Sequence, residues 1–323
     1  MRLGMLIIGS LYWDCSPVRC AWRQNRLSRT GEQRVKVPIR YGRRSDKRGK
    51  TFTMVFARSC SEPGRLGTGI VVPALKECVR PEQLIEEAEH LWAAEGGKDA
   101  NISASWGAVC ILQNPSATLP KALLKAWQAR IRAAGDLYVA LPTANGEEPV
   151  LDAATGRALY EWPTDDETNQ PLSGFDLLLM TATKPTLKDR QYETAKEIAN
   201  AWRADKQDHV LYFHNNRHYR ITTFEDEQIL SLLRSEPANA RSSHEREREV
   251  LMASLSDELR KQAGGAFYEY EQAVVIRLLK RPDWKLDAAP LESILATGDE
   301  RKVRKFIDDL RRSRQDIINS AMA

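Results

Sequence analysis

Leu6–Asp14 reads LIIGSLYWD. With Met5 in front of it, the apolar run has the length of a buried strand rather than a helix, and Gly9-Ser10 ends it. A strand that finishes in Gly-Ser and then turns presents successive backbone N–H groups. Glycine there lets another group approach closely or permits an unusual backbone angle. Such N–H groups can hold an anion, a carboxylate or a phosphate. The plainer reading is a glycine that simply lets two strands pack.

Working outward, Val35–Tyr41 and Thr51–Ala57 read as strands joined by a basic loop at Gly42–Lys50, and Gly67–Pro73 as a strand with glycines at its entry. Pro81 then opens a helix over Glu82–Glu95, with Leu84, Ile85, Ala88, Leu91 and Trp92 at helical spacing. Gly96-Gly97 stops it. A strand at Ala104–Leu112 and a helix at Ala117–Ala134 follow, the helix carrying Leu123, Leu124, Trp127 and Ile131 on one face. Leu141–Ser173 is rich in Pro, Gly, Asn and Asp, and marks a long loop or a boundary.

A second α/β stretch begins with a buried strand at Phe175–Thr183 and a helix at Lys188–Ala204. His209–His214 and His218–Thr223 read as a hairpin around Asn215-Asn216, and Thr223 with Asp226 as a capping box opening a helix to Leu233. After Glu236-Pro237 come three charge-dense helical segments, Ser243–Gln262, Phe267–Lys280 and Asp299–Ala321. The expected fold class is α/β (α+β): a small mixed-sheet domain over 1–140, an α/β extension over 141–236 and a helical C-terminal unit over 237–323.

The 323 residues include five cysteines, an odd count without a CxxC pair, which fits reduced thiols in a cytoplasm. No window approaches eighteen consecutive apolar residues, so no membrane span is expected. The start lacks the small-residue cleavage pattern of a signal peptide. Net charge is only +4, but Arg19–Lys50 holds twelve Lys or Arg against Glu32 and Asp46, a local +10. That block attracts anions or is a solvated surface balanced elsewhere. Cys15 lies near Arg19 and Arg23, and is read as a structural thiol. His209, His214 and His218 lack a completing ligand set, so no metal is expected. P-loop, GxGxxG, HExxH and GxSxG patterns are absent from the sequence. No cofactor is expected.

The turn Ile8-Gly9-Ser10-Leu11 resembles the Tyr-Gly-Ser-Leu pattern that ends the first strand of gamma-glutamylcyclotransferase-like proteins, although Tyr12 here follows the glycine and Ile8 replaces the usual aromatic. The Gly-led strand Gly67–Pro73, the acidic segment Leu84–Gly96 and the strand Ala104–Leu112 continue the likeness over roughly the first 115 residues. The resemblance implies a barrel-like N-terminal domain of that type. It also implies an enzyme acting on a small γ-glutamyl amine or related amide: a Glu takes a proton from the substrate's α-amine, which attacks its own γ-carbonyl and releases 5-oxoproline. Gly9, Ser10, Leu11 and Tyr12 would form the cradle. Glu95, which best matches the family's Glu-Gly ending, or else Glu89, would be the acid/base. Arg19, Arg23 and Arg40 are the guanidiniums suited to pair with a substrate carboxylate.

The competing expectation is a catalytically inactive binding or regulatory protein on the same fold. Its basic stretch and its helical tail, with Val303, Phe306, Ile307 and Leu310, would contact a protein partner, a second copy of the chain or nucleic acid. A nucleic-acid partner is disfavoured by Asp299, Glu300, Asp308 and Asp309, which dilute the basic tail.

Overall fold

The computed structural model describes residues 1–234, apart from 15, 29, 46–50, 63, 98–100, 136–137, 139–140 and 205–208. The chain divides into two compact units, Met1–Ser235 and Glu236–Ala323. The three helical segments expected after residue 237, and Cys15, lie outside the described residues.

In chain order the elements are β1 (Leu3–Ile7), α1 (Pro17–Arg26), β2 (Gln33–Val37), β3 (Ile39–Ser45), β4 (Thr51–Phe56) and β5 (Gly67–Pro73). Next come α2 (Pro81–Ala94), β6 (Ser103–Ala104), β7 (Gly107–Gln113), α3 (Lys121–Ala134), β8 (Leu151–Asp152), β9 (Arg157–Ala158) and β10 (Thr164–Asp165). β11 (Leu177–Thr183), α4 (Ala195–Ala204), α5 (His209–His218) and α6 (Asp226–Arg234) complete the described set.

The main sheet runs β10-β2-β5-β1-β11-β7-β9-β8, with β6 paired to β7. It is an open mixed sheet, which corrects the barrel-like expectation. β1 and β11 are parallel, in register from Leu3↔Leu177 to Leu6↔Met180, and each has an antiparallel strand on its other side. All five residues of β1 are buried, as are Leu177–Ala182 of β11, as their continuous apolar runs require. Residues after 141 thus supply a central strand: the expected 1–140 domain and 141–236 extension share one sheet and one core.

Pro38 divides what read as a single strand over Val35–Tyr41. β2 joins the main sheet, whereas β3 pairs with β4 in a separate two-stranded ribbon. Proline lacks the N–H that a continuous ladder would need. The ribbon packs on β5 and β11, and α4 and α5 pack on β4. α2 packs on β7 and β11 and contacts both α1 and α3.

Two helices depart from the sequence reading. α1 lies in the basic stretch, begins with Pro17 at its first turn and buries Trp22. The hairpin expected at His209–Thr223 is instead the helix α5. The capping box at the next helix forms as expected: Asp226 Oδ1 accepts the Thr223 backbone N–H at 2.8 Å and the Thr223 hydroxyl at 2.6 Å.

Candidate functional site

Past Ile7 the chain leaves β1 in a tight turn. Gly9 O accepts the N–H of Tyr12 at 3.0 Å, and Ser10 O accepts those of Trp13 and Asp14 at 3.3 and 2.7 Å. Among the described residues, no acceptor is found for the N–H groups of Gly9, Ser10 and Leu11. Gly9 is required by close approach: a Cβ there would lie 2.5 Å from the Tyr212 hydroxyl. That hydroxyl is fixed in turn, because it accepts the Met54 N–H at 3.3 Å. α5 also holds the turn through Trp13, whose Nε1 donates to Asn216 Oδ1 at 2.7 Å and whose ring meets Tyr212 edge-on.

The turn borders a cavity of about 590 Å³, the size of a small-molecule site. It lies beyond the carboxyl ends of the parallel neighbours β1 and β11, a location where open α/β sheets place ligands. Its walls include Gly9, Ser10, Leu11, Asp14 and Arg19, the end of α2 at Glu95, Arg43 and Thr53 of the ribbon, Trp106, Thr181 and Thr183 of β11, and Tyr212.

Arg19 ties the charged end together. Its Nη1 donates to Ser10 Oγ at 2.8 Å and to Asp14 Oδ2 at 3.2 Å; its Nη2 reaches Glu95 Oε2 at 3.3 Å. Its Nε donates to the Ala94 carbonyl at 3.0 Å, so the guanidinium also satisfies the carbonyl end of α2, where positive charge is favourable. α2 stops there because Gly96 takes a φ of +89°, accessible to glycine. Across the cavity, the guanidinium of Arg43 lies 5.2 Å from the centre of the Trp106 ring, which stacks on Trp92 at 4.3 Å.

The acids of α2 separate by partner. Glu86 and Glu87 face Arg26 of α1 at 2.5 and 3.2 Å. Burial pushes the Glu87 carboxyl up, whereas the Arg26 hydrogen bond holds Glu86 low. Glu89 faces Arg130 of α3 at 3.4 Å and does not line the cavity. Glu95 does line it, beside the Gly9–Leu11 turn.

The other expected site residues are elsewhere. Tyr12 points its hydroxyl to Glu32 Oε2 at 2.6 Å and packs edge-on against Tyr219. Arg23 buttresses the turn from behind, donating to the carbonyls of Leu11 and Asp14 at 2.6 and 2.8 Å. Arg40 is buried against Glu225 at 2.8 Å, with its guanidinium over Tyr192, outside the cavity. Among the described residues no group of three or more His, Cys, Asp or Glu is placed to hold a metal ion, and no helix is long and apolar enough to cross a membrane.

Asp14, Arg43, Thr181, Thr183 and Tyr212 line the cavity without having been singled out from the sequence. For the two threonines a signal existed. They interrupt an aliphatic strand at its last positions, where a buried run ordinarily stays apolar. Comparison with protein-family profiles, with curated proteins and with solved structures finds no match to this chain.

Proposed function

We propose that the cavity binds a small molecule bearing a carboxylate and an amine, and that Glu95 is the base converting a γ-glutamyl amine into 5-oxoproline and a free amine. The observation that carries this reading is Glu95 beside the unsatisfied N–H groups of Gly9–Leu11, with Arg19 bonded to both sides. The Arg19 contacts to Asp14 and Glu95, at 3.2 and 3.3 Å, are longer than the usual 2.7–2.9 Å of a charge-assisted bond, so a substrate carboxylate competes well for the guanidinium. Glu95 then turns to the substrate ammonium. The nitrogen attacks the γ-carbonyl while the turn N–H groups stabilise the oxyanion, and the bond to the departing nitrogen breaks. Of the ammonium's three protons, one stays on the ring nitrogen and two pass by way of Glu95 to the departing nitrogen, which leaves as an ammonium.

A second reading has its own observation. Arg19 already pairs with both Asp14 and Glu95 within the pocket, an arrangement suited to reversible binding without turnover. One assay separates the two: 5-oxoproline release from γ-glutamyl amines, compared between the wild type and Glu95→Gln. The catalytic reading expects a loss of about 10²-fold or more. An undiminished rate in the variant removes Glu95 as the base. Binding of 5-oxoproline by a wild type that releases none supports the non-catalytic protein.

A further inference from the structure

The ribbon of β3 and β4 brings a second guanidinium to the cavity. Arg43 and Ser45 are two residues apart on β3, and Thr53 of β4 lies directly opposite Arg43 in the register, so all three share one side of the ribbon. All three line the cavity, and each is only half-buried. The register shifts between Tyr41 and Arg43, which makes Gly42 the extra residue of a bulge. Tyr41 pairs with Met54 and Arg43 with Thr53, neighbours on β4 that point to opposite sides. Without the extra residue Arg43 would share the side of Tyr41, which is fully buried. Bulges re-aim side chains in this way and are common beside active sites.

The guanidinium of Arg43 lies over the ring of Trp106, which also borders the cavity. That contact engages the face of the guanidinium. Its N–H donors lie in the plane and form a fork suited to two oxygens of an anion. Among the described residues the Ser45 hydroxyl has no hydrogen-bond partner. The Thr53 hydroxyl donates to the Arg43 carbonyl across a long 3.4 Å, a bond that an anion's oxygen can displace. A planar carboxylate would be satisfied by the fork alone. A phosphate has a third terminal oxygen, which hydroxyls beside the fork can bond. We propose that Arg43, Ser45 and Thr53 form a subsite for a phosphate group, carried on a small ester or arriving as the free ion. This goes beyond the carboxylate reading of the Arg19 end and does not rest on it.

Calorimetric titration of the full chain with inorganic phosphate, ethyl phosphate and acetate tests it. The wild type is expected to bind at least one of the phosphates about tenfold or more tightly than acetate. Tighter binding of ethyl phosphate assigns the subsite to an ester, and tighter binding of inorganic phosphate assigns it to the free ion. Arg43→Gln should weaken phosphate binding about tenfold or more, the scale of hydrogen bonds to a charged group, and Ser45→Ala a few-fold. Arg44→Gln removes the same charge from the next residue of β3, on the other side of the ribbon, and should leave the affinity unchanged. Four results overturn the subsite: no binding of either phosphate, acetate bound as tightly, full affinity in Arg43→Gln, or an equal loss in Arg44→Gln. Each of them leaves the carboxylate reading of Arg19 standing. Thermal melting of each variant reports folding. If Arg43→Gln does not fold, Ser45→Ala decides, and an undiminished affinity there overturns the subsite.

Discussion

Gly9 shows how one missing side chain can set a site. The turn is pressed against the phenol of Tyr212, and that phenol cannot simply swing away. It accepts the Met54 N–H and its ring packs edge-on against both Trp13 and Tyr41. Adding one methyl group therefore forces either the turn or α5 to move. Gly9→Ala is expected to destabilise Met1–Ser235 by about 1–3 kcal/mol, the usual cost of overpacking, and to weaken any ligand held by the turn. Urea unfolding of the variant checks the first effect; a midpoint equal to that of the wild type shows that the contact is soft. The sequence marked Gly9 as a place of close approach or unusual backbone angle. Which group approached was not legible, because Tyr212 is 203 residues away and was read as part of a hairpin strand. Glu95 was legible only as one of four acids in the segment Leu84–Gly96. What distinguishes it is the partner each acid meets, and Arg19, Arg26 and Arg130 are brought to α2 by tertiary packing.

At the scale of elements, the long patterned segments were readable and the polar or mixed ones were not. β1, β5, β7 and β11 have continuous apolar runs, and α2 and α3 have clear helical faces, so each was found close to its place. α1 was missed because its described side chains include only one that is buried, Trp22, among three arginines and other small or polar residues. α5 was misread because Val210, Tyr212 and Phe213 favour strands and Asn215-Asn216 resembles a turn, yet tertiary packing made the segment helical. The cap of α6 was legible because its chemistry is local, and it carries a pH dependence.

Asp226 is 3% exposed, and burial raises its carboxyl from 3.8 to about 6, against the Thr223 hydrogen bonds and Arg217, which favour the ionised form. Glu227 opposes ionisation, and burial, with Asp226 as a lesser contributor, raises the Tyr41 hydroxyl and the Glu225 carboxyl. A folded-state pKa above the unfolded value means that the native state binds the proton more tightly. The contribution to stability is complete below the unfolded pKa and is lost as pH rises through the folded one. Relative to Asp226→Asn, wild-type stability should therefore fall by about 3 kcal/mol between about pH 3.5 and pH 6.5. Denaturant unfolding of both proteins across that range measures the difference. Parallel profiles would remove Asp226 as the group responsible.

The whole molecule explains what the basic stretch does. Much of its charge is used within the protein: Arg19, Arg26 and Arg40 pair with carboxylates, Arg23 with carbonyls, and Arg43 and Arg44 with aromatic rings. This internal use answers the local +10 better than a polyanion-binding surface would. It also shows why composition alone misleads, since the balancing acids come from α2 and from the segment before α6. The same interleaving governs folding. The Pro- and Gly-rich stretch at Leu141–Ser173 looks like a boundary in sequence, but the strand that follows it, β11, separates β1 from β7 at the middle of the main sheet. Without β11, β1 loses its parallel partner, β7 loses the strand it pairs with from Gly107 to Gln113, and Leu177–Met180 leave the core. Residues 1–140 are therefore expected to lack a cooperative unfolding transition, whereas residues 1–235, which include every strand of the sheet, should show one. Circular dichroism followed through urea unfolding distinguishes these outcomes. A cooperative transition in the 1–140 fragment would mean that β1, β5 and β7 close a core by another pairing, and that the order of strands in the sheet is not what holds the fold together.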